Sequence, residues 1–155
     1  MAALARLEGP LREAIHRLKY GDRPQLAEHV VAMTLLEHRV GPGTLVPVPL
    51  HRARLRRRGY NQAELLVRAM AGRTGAAWVD GLERVGRQAP QVGRGGPARR
   101  AAMSGAFRWR AGEACPAAVV IVDDVLTTGT TLLECALAVR AAGVKRVEAL
   151  AIALG

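Results

Sequence analysis

Apolar strand-like runs alternating with helix-periodic segments predict an α/β fold: an open, mainly parallel twisted sheet flanked by helices. Three observations carry that expectation. Val119–Val122 is a fully apolar run, Thr131–Ala142 places apolar residues at helical spacing, and Val147–Leu154 (VEALAIAL) is a second apolar run. Together they read as a strand–helix–strand unit, which implies parallel pairing and a right-handed crossover. Upstream, Thr44–Val48 (TLVPV) is a short strand followed by a basic loop and a helix. Before it, Leu4, Leu7, Leu11, Ile15 and Leu18 recur at three- and four-residue steps, so residues 1–40 are expected to be helical.

Taken in order, the first helix ends at Gly21, and Asp22 ahead of Pro24 marks a new start whose apolar face continues through Leu26, Val30 and Met33. Gly41-Pro42-Gly43 breaks the pattern. Pro47 gives the TLVPV strand one position without a backbone donor. Asn61–Glu64 (NQAE) has the form of a capping box, with Asn61 accepting from the Glu64 amide and Glu64 reaching back. Leu65, Leu66, Ala69 and Met70 make the apolar side of that helix, and Gly72 stops it. Ala77–Val79 is a candidate strand. Residues 86–105 hold five glycines, two prolines and four arginines without a sustained period, which suits either a functional lid or a disordered linker. Phe107 and Trp109 alternate with Arg108 and Arg110, a strand with one apolar face. One domain spanning 1–155 is expected, with no repeat and no second domain.

Composition narrows the partners. Half of the 155 residues are apolar and 23% are charged, which reads as soluble and globular. No apolar run approaches the roughly 18 residues of a membrane span, and the N-terminus alternates charge too evenly for a secretory signal. A cytoplasmic location is the expectation. Cys115 and Cys135 belong to no CxxC pair and do not cluster with the four histidines, so buried free thiols are expected rather than a zinc site. The formal charge is +10, and of 23 basic residues only Lys19 and Lys145 are lysine. Five arginines fall within Arg52–Arg58 and seven within Arg84–Arg110. Arginine's planar fork suits phosphate, so a polyphosphate ligand or nucleic acid is implied.

The chemistry concentrates in VVIVDDVLTTGTTL, beginning at Val119. In an open parallel sheet, ligands sit beyond the carboxyl ends of strands, where Asp123 and Asp124 are expected. The loop Thr127-Thr128-Gly129-Thr130-Thr131 runs straight into a helix, whose free amides and dipole favour an anion. Gly129 permits a positive φ and the hydroxyls add donors. Two carboxylates repel a bare phosphate but suit sugar hydroxyls or a Mg²⁺ that also touches phosphate. A sugar bearing a 5′-phosphate meets both needs. A nucleoside-triphosphatase reading fails because no GxxxxGK[ST] occurs.

This segment strongly resembles the phosphoribosyl-pyrophosphate motif of type I phosphoribosyltransferases. The resemblance implies their open, mainly parallel sheet. It also implies that Asp123 and Asp124 hold the ribose hydroxyls as the catalytic acids, with Mg²⁺ nearby, while Thr127, Thr128, Gly129, Thr130 and Thr131 bind the 5′-phosphate. LKYGDRPQLAEHV, VPVPLHRARLRRRGYNQAELL and RQAPQVGRGGPARRAAMSGAF, in that order, resemble the competence protein F (ComF/GntX-like) group of that superfamily, over about residues 11–155. Many members carry an N-terminal four-cysteine zinc module, and this sequence starts after where that would lie. Functions residing there are expected to be absent or supplied by another chain. The matching makes Pro49, Leu50, His51 and Arg52, with Arg57 and Arg58, the pyrophosphate region. Residues 86–100 become a mobile loop that closes over the site, with Arg99 and Arg100 as further candidates.

Two functions follow from the resemblance. One is transfer of phosphoribosyl from phosphoribosyl pyrophosphate to an amine or nucleobase nitrogen, although no general base or acceptor pocket is evident in the sequence. The other is a non-catalytic module on the same fold that binds single-stranded DNA during DNA uptake, alongside a helicase-like competence protein. A homodimer is compatible with either.

Overall fold

In the computed structural model, residues 1–35, 42–85 and 105–155 are described. Along the chain they form β1 (Ala2–Arg6), α1 (Gly9–Tyr20), α2 (Leu26–Thr34), β2 (Thr44–Pro47), α3 (Arg52–Arg58) and α4 (Gln62–Thr74). These are followed by β3 (Leu82–Arg84), β4 (Phe107–Trp109), β5 (Ala118–Leu126), α5 (Thr130–Ala141) and β6 (Arg146–Leu154). β1, β6, β5 and β2 make a four-stranded sheet in that spatial order, and every pairing in it is parallel. β3 and β4 form a separate antiparallel pair.

β5 and β6 occupy the centre because their residues can be buried on both faces. Val119, Val120, Ile121 and Val122 of β5 are all buried, as are Ala151 and Ile152 of β6. Helices cover the sheet on either side. Leu11, Ile15 and Leu18 of α1, Val30 of α2 and Leu66 and Met70 of α4 pack with Val120, Val122 and Ile152. Leu132, Cys135 and Val139 of α5 pack with Val119, Ile121 and Ala151 on the other face, joined by Leu82 and Phe107 from the antiparallel pair. Each fully buried Leu or Ile contributes roughly 1.5–3 kcal/mol relative to exposure.

Several expectations are corrected. Residues 2–6 form a strand, not the start of a helix: β1 pairs with β6, and Leu7 extends the ladder by donating to the Leu154 carbonyl. A helix cannot run back past Gly9, which sits at φ +49 ahead of Pro10, so tertiary pairing decides against the helical propensity of Ala and Leu. Met33 is exposed, and Ala27, Val30 and Val31 form the buried side of α2 instead. The basic stretch 52–58 is a short helix rather than a loop, capped by His51 and ended by Gly59 at φ 84. Asn61 does cap α4, but it accepts from the Ala63 amide, and Glu64 pairs with Arg68 instead of reaching back. α4 runs past Gly72 and ends at Gly75 in the left-handed conformation, since a glycine inside a helix costs only about 1 kcal/mol. Trp78 makes a single bridge to Leu45. Cys135 is buried as expected, whereas Cys115 is exposed, lying in the polar connection before β5.

Candidate functional site

β5 does not stop at the acids. It continues through Asp123 and Asp124 to Leu126, held by β6 as far as the Leu126–Leu154 pair. Along this stretch the side-chain alternation reverses. Val120 and Val122 face the α1/α2/α4 layer and Val119 and Ile121 the α5 layer, yet Val125 packs with the first layer and Leu126 with the second. The change of phase falls between Asp124 and Val125; up to that point ordinary strand alternation sets the two carboxylates on opposite faces.

Asp123 turns toward the β5–α5 loop. It lines one small cavity with Thr127, Thr128, Gly129, Thr130 and Thr131. Gly129 is the N-cap of α5 at φ 75, a conformation that strains any residue with a Cβ. Its carbonyl accepts the first helical bond from the Leu133 amide, leaving the amides at the start of α5 without helical partners. Thr130 donates from its backbone to the Thr128 hydroxyl, 3.4 Å away, and the two hydroxyls lie 3.0 Å apart. The result is a cluster of donors at the positive end of a 12-residue helix. The Asp123 carboxylate accepts from the Asp124 amide at 2.8 Å. Burial, reinforced by the neighbouring Asp124 charge, pushes the Asp123 carboxyl up to about 7.

Asp124 turns the other way and does not line that cavity. It is 4% exposed, and its Oδ2 lies 3.0 Å from Lys19 Nζ on α1. The ammonium is close enough for an ion pair, but no donor points at Oδ2 with hydrogen-bond geometry, so this buried oxygen is only electrostatically compensated.

β2 lies beside β5, and Val48 continues the ladder by donating to the Val122 carbonyl. The segment after β2 therefore emerges next to the acids. Pro49 is buried, Leu50 half-buried, and His51 and Arg52 are exposed. The His51 Nδ1 accepts from the Ala53 amide and so starts α3. Arg57 is exposed on α3. Arg58 donates to Gln62 Oε1 and stands over the Tyr20 ring at 5.6 Å. The Tyr60 hydroxyl donates to the Leu18 carbonyl at 2.7 Å, tying the α3–α4 junction to the end of α1. Asn61 also donates to the Val48 carbonyl, so one residue fixes both the end of the β2 segment and the start of α4.

The structure thus gathers Asp123 with the threonine loop, sets Asp124 against α1, and brings the Pro49–Arg58 segment to the same edge of the sheet. Arg99, Arg100 and residues 86–104 lie outside the described residues. Lys19, Tyr20 and Tyr60 were missed by residue patterns. The one available signal was that Lys19 is one of only two lysines among the basic residues. Among the described residues no group of three or more His, Cys, Asp or Glu could hold a metal ion, and no helix is long and apolar enough to cross a membrane.

The fold is that of a type I phosphoribosyltransferase-like domain. A solved structure described as the allosteric regulatory enzyme of purine biosynthesis overlays with a TM-score of 0.54, at 20% identity, over 81% of this chain and 25% of its own. Glutamine phosphoribosylpyrophosphate amidotransferase from B. subtilis, complexed with ADP and GMP, gives 0.53 at 19% identity over 84% of this chain and 26% of its own. At such identities the likeness is one of fold. No protein-family model matches the chain.

Within that fold, the sequence relatives are consistent with the competence protein F group. DNA utilization protein YhgH of Salmonella typhimurium is 34% identical over 136 residues, covering 82% of this chain and 60% of the relative. The protein of the same name from Escherichia coli K12 is 33% identical over the same shares. Competence protein F of Haemophilus influenzae is 35% identical over 115 residues, 69% of this chain and 48% of the relative. The chain spans 60% of the length of the first of these relatives.

Proposed function

We propose that this domain binds 5-phosphoribosyl 1-pyrophosphate and serves phosphoribosyl transfer to an amine or ring nitrogen in DNA uptake or utilisation. The observation that carries this reading is the shared cavity of Asp123 and the Thr127–Thr131 loop. The loop amides and hydroxyls receive the 5′-phosphate, and the Asp123 carboxyl receives a ribose hydroxyl. Asp124 reaches the second hydroxyl by exchanging its Lys19 contact for the ligand. His51, Arg52, Arg57 and Arg58, with the Pro49–Leu50 backbone, face the pyrophosphate, and the arginine charges stabilise it as it departs. In transfer, the bond from ribose C1 to the acceptor nitrogen forms as the C1–oxygen bond breaks. The electron pair leaves on pyrophosphate, and the acceptor's proton passes to solvent. The relatives' names, DNA utilization protein and competence protein F, suggest the biological setting.

The residues present fit a ligand-borne Mg²⁺. Magnesium is commonly bound by one or two carboxylates plus substrate phosphates, and Asp123 and Asp124 are the carboxylates at hand, one of them with an unsatisfied buried oxygen. When bound, it would neutralise charge on the pyrophosphate.

A second reading has an observation of its own. Arg52, Arg54, Arg56 and Arg57 are all exposed on α3 and form no ion pair among the described residues, leaving four charges free for a nucleic-acid backbone. One experiment separates the readings. Phosphoribosyl pyrophosphate with Mg²⁺ is expected to raise the melting temperature of the wild type, and Asp123→Asn with Asp124→Asn to abolish the rise. No rise in the wild type, together with single-stranded-DNA binding that weakens steeply with salt, would overturn the first reading in favour of the second.

A further inference from the structure

A larger cavity lies on the opposite side of the acid pair from the threonine loop. It has a volume of about 530 Å³, within the range of small-molecule pockets, and opens between α1 and the end of β5. Its walls are apolar, formed by Leu7, Ile15 and Val125. Its rim is polar. His16 and Tyr20 present two aromatic rings with centroids 5.0 Å apart. Arg12 and Lys19 add two cations. The one carboxylate on the rim, Glu13, is already paired with Arg17 at 2.6 Å. The cavity adjoins the phosphate loop, because Val125 and Thr127 line both. Lys19 connects it to Asp124.

We propose that this cavity seats the acceptor, and that the acceptor is a planar aromatic or heteroaromatic ring with an anionic edge. The apolar walls take the ring faces, Tyr20 and His16 stack at the mouth, and Arg12 with Lys19 meets the anionic edge. An aliphatic amine would lack the faces these walls fit, and a cationic ring would meet two like charges. The cavity's role as acceptor site rests on the phosphoribosyl reading above; its preference for an anionic ring does not.

Salicylate, a planar, ionised and fluorescent ring, probes the cavity without being a substrate, and phenol is its neutral counterpart. In the full chain, salicylate is expected to bind saturably, with phenol about tenfold weaker. Arg12→Gln, at an exposed helix position, is expected to weaken salicylate about tenfold, and Tyr20→Ala to weaken salicylate and phenol alike. Arg140→Ala on α5 serves as the control and leaves binding unchanged. Equal affinity for salicylate and phenol, or no effect of Arg12→Gln, would overturn the anionic-ring specificity. The acceptor role requires salicylate and phosphoribosyl pyrophosphate with Mg²⁺ to bind together, and mutual exclusion would overturn it. Failure of the two readings is distinguishable, because salicylate binding is measured without phosphoribosyl pyrophosphate and the thermal shift without salicylate. Arg12→Gln is expected to retain the full thermal shift.

Discussion

Replacing Asp123 with asparagine tests whether the site stores unfavourable charge. Burial and the Asp124 carboxylate raise the Asp123 carboxyl from 3.8 to about 7 in the folded chain. Between those two values the folded protein holds a proton that the unfolded chain has released, so stability falls as pH rises through that window. Each pH unit of difference is worth about 1.4 kcal/mol, giving at most about 4 kcal/mol once the group is ionised. About two of the roughly three pH units lie above pH 5. The stability advantage of Asp123→Asn over the wild type is therefore expected to grow by about 2–3 kcal/mol between about pH 5 and about pH 8. Asparagine keeps an oxygen that can accept from the Asp124 amide, so the comparison isolates charge. For a chain of this size the change amounts to roughly 4–12 °C in melting temperature. Urea unfolding of both proteins across that range is the assay. An advantage that stays constant within about 0.5 kcal/mol across the range would refute the reasoning, since the carboxyl would then titrate alike folded and unfolded.

Lys19→Met removes the only cation within ion-pair distance of the Asp124 carboxylate among the described residues and is expected to cost about 2–4 kcal/mol, less than a fully buried pair because Lys19 is partly exposed. Adding Asp124→Asn should recover most of that loss; urea unfolding that finds the double variant no more stable than Lys19→Met would count against the pairing. Gly81→Ala drives a Cβ into the Trp109 ring and forces the indole off its hydrogen bond to the Glu113 carbonyl. A loss of about 1–3 kcal/mol with a red-shifted tryptophan emission is expected, and unchanged emission would contradict that packing.

The β5–loop–α5–β6 unit was legible because each part is locally encoded: a doubly buried parallel strand is continuously apolar, and a helix start after Gly129 is chemically marked. β1 was not, because Leu4 shares helical spacing with Leu7 and Leu11 while only pairing with a strand about 150 residues away makes it extended. α3 escaped because RARLRRR has no apolar face to set a period, and its signals lie in the His51 cap and Gly59. The three residues of β3 are too few to show alternation. At the site, the Thr127–Thr131 loop was readable as a contiguous motif. The separation of Asp123 from Asp124 was not, since it depends on β5 running on through the acids as a strand, whose alternation sets them on opposite faces, and on Lys19 approaching from another helix. The α1 cavity was equally hidden, being formed by two segments more than a hundred residues apart in sequence.

The central claim, that the β5–α5 loop grips the 5′-phosphate of a ribose ligand, is tested most directly by amide NMR during titration with phosphoribosyl pyrophosphate and Mg²⁺. The expected result is that the largest saturable shifts fall on Thr127–Leu132 and Asp123–Asp124, and that Gly129→Val removes them. Saturable shifts confined to α3, or none at all, would contradict it.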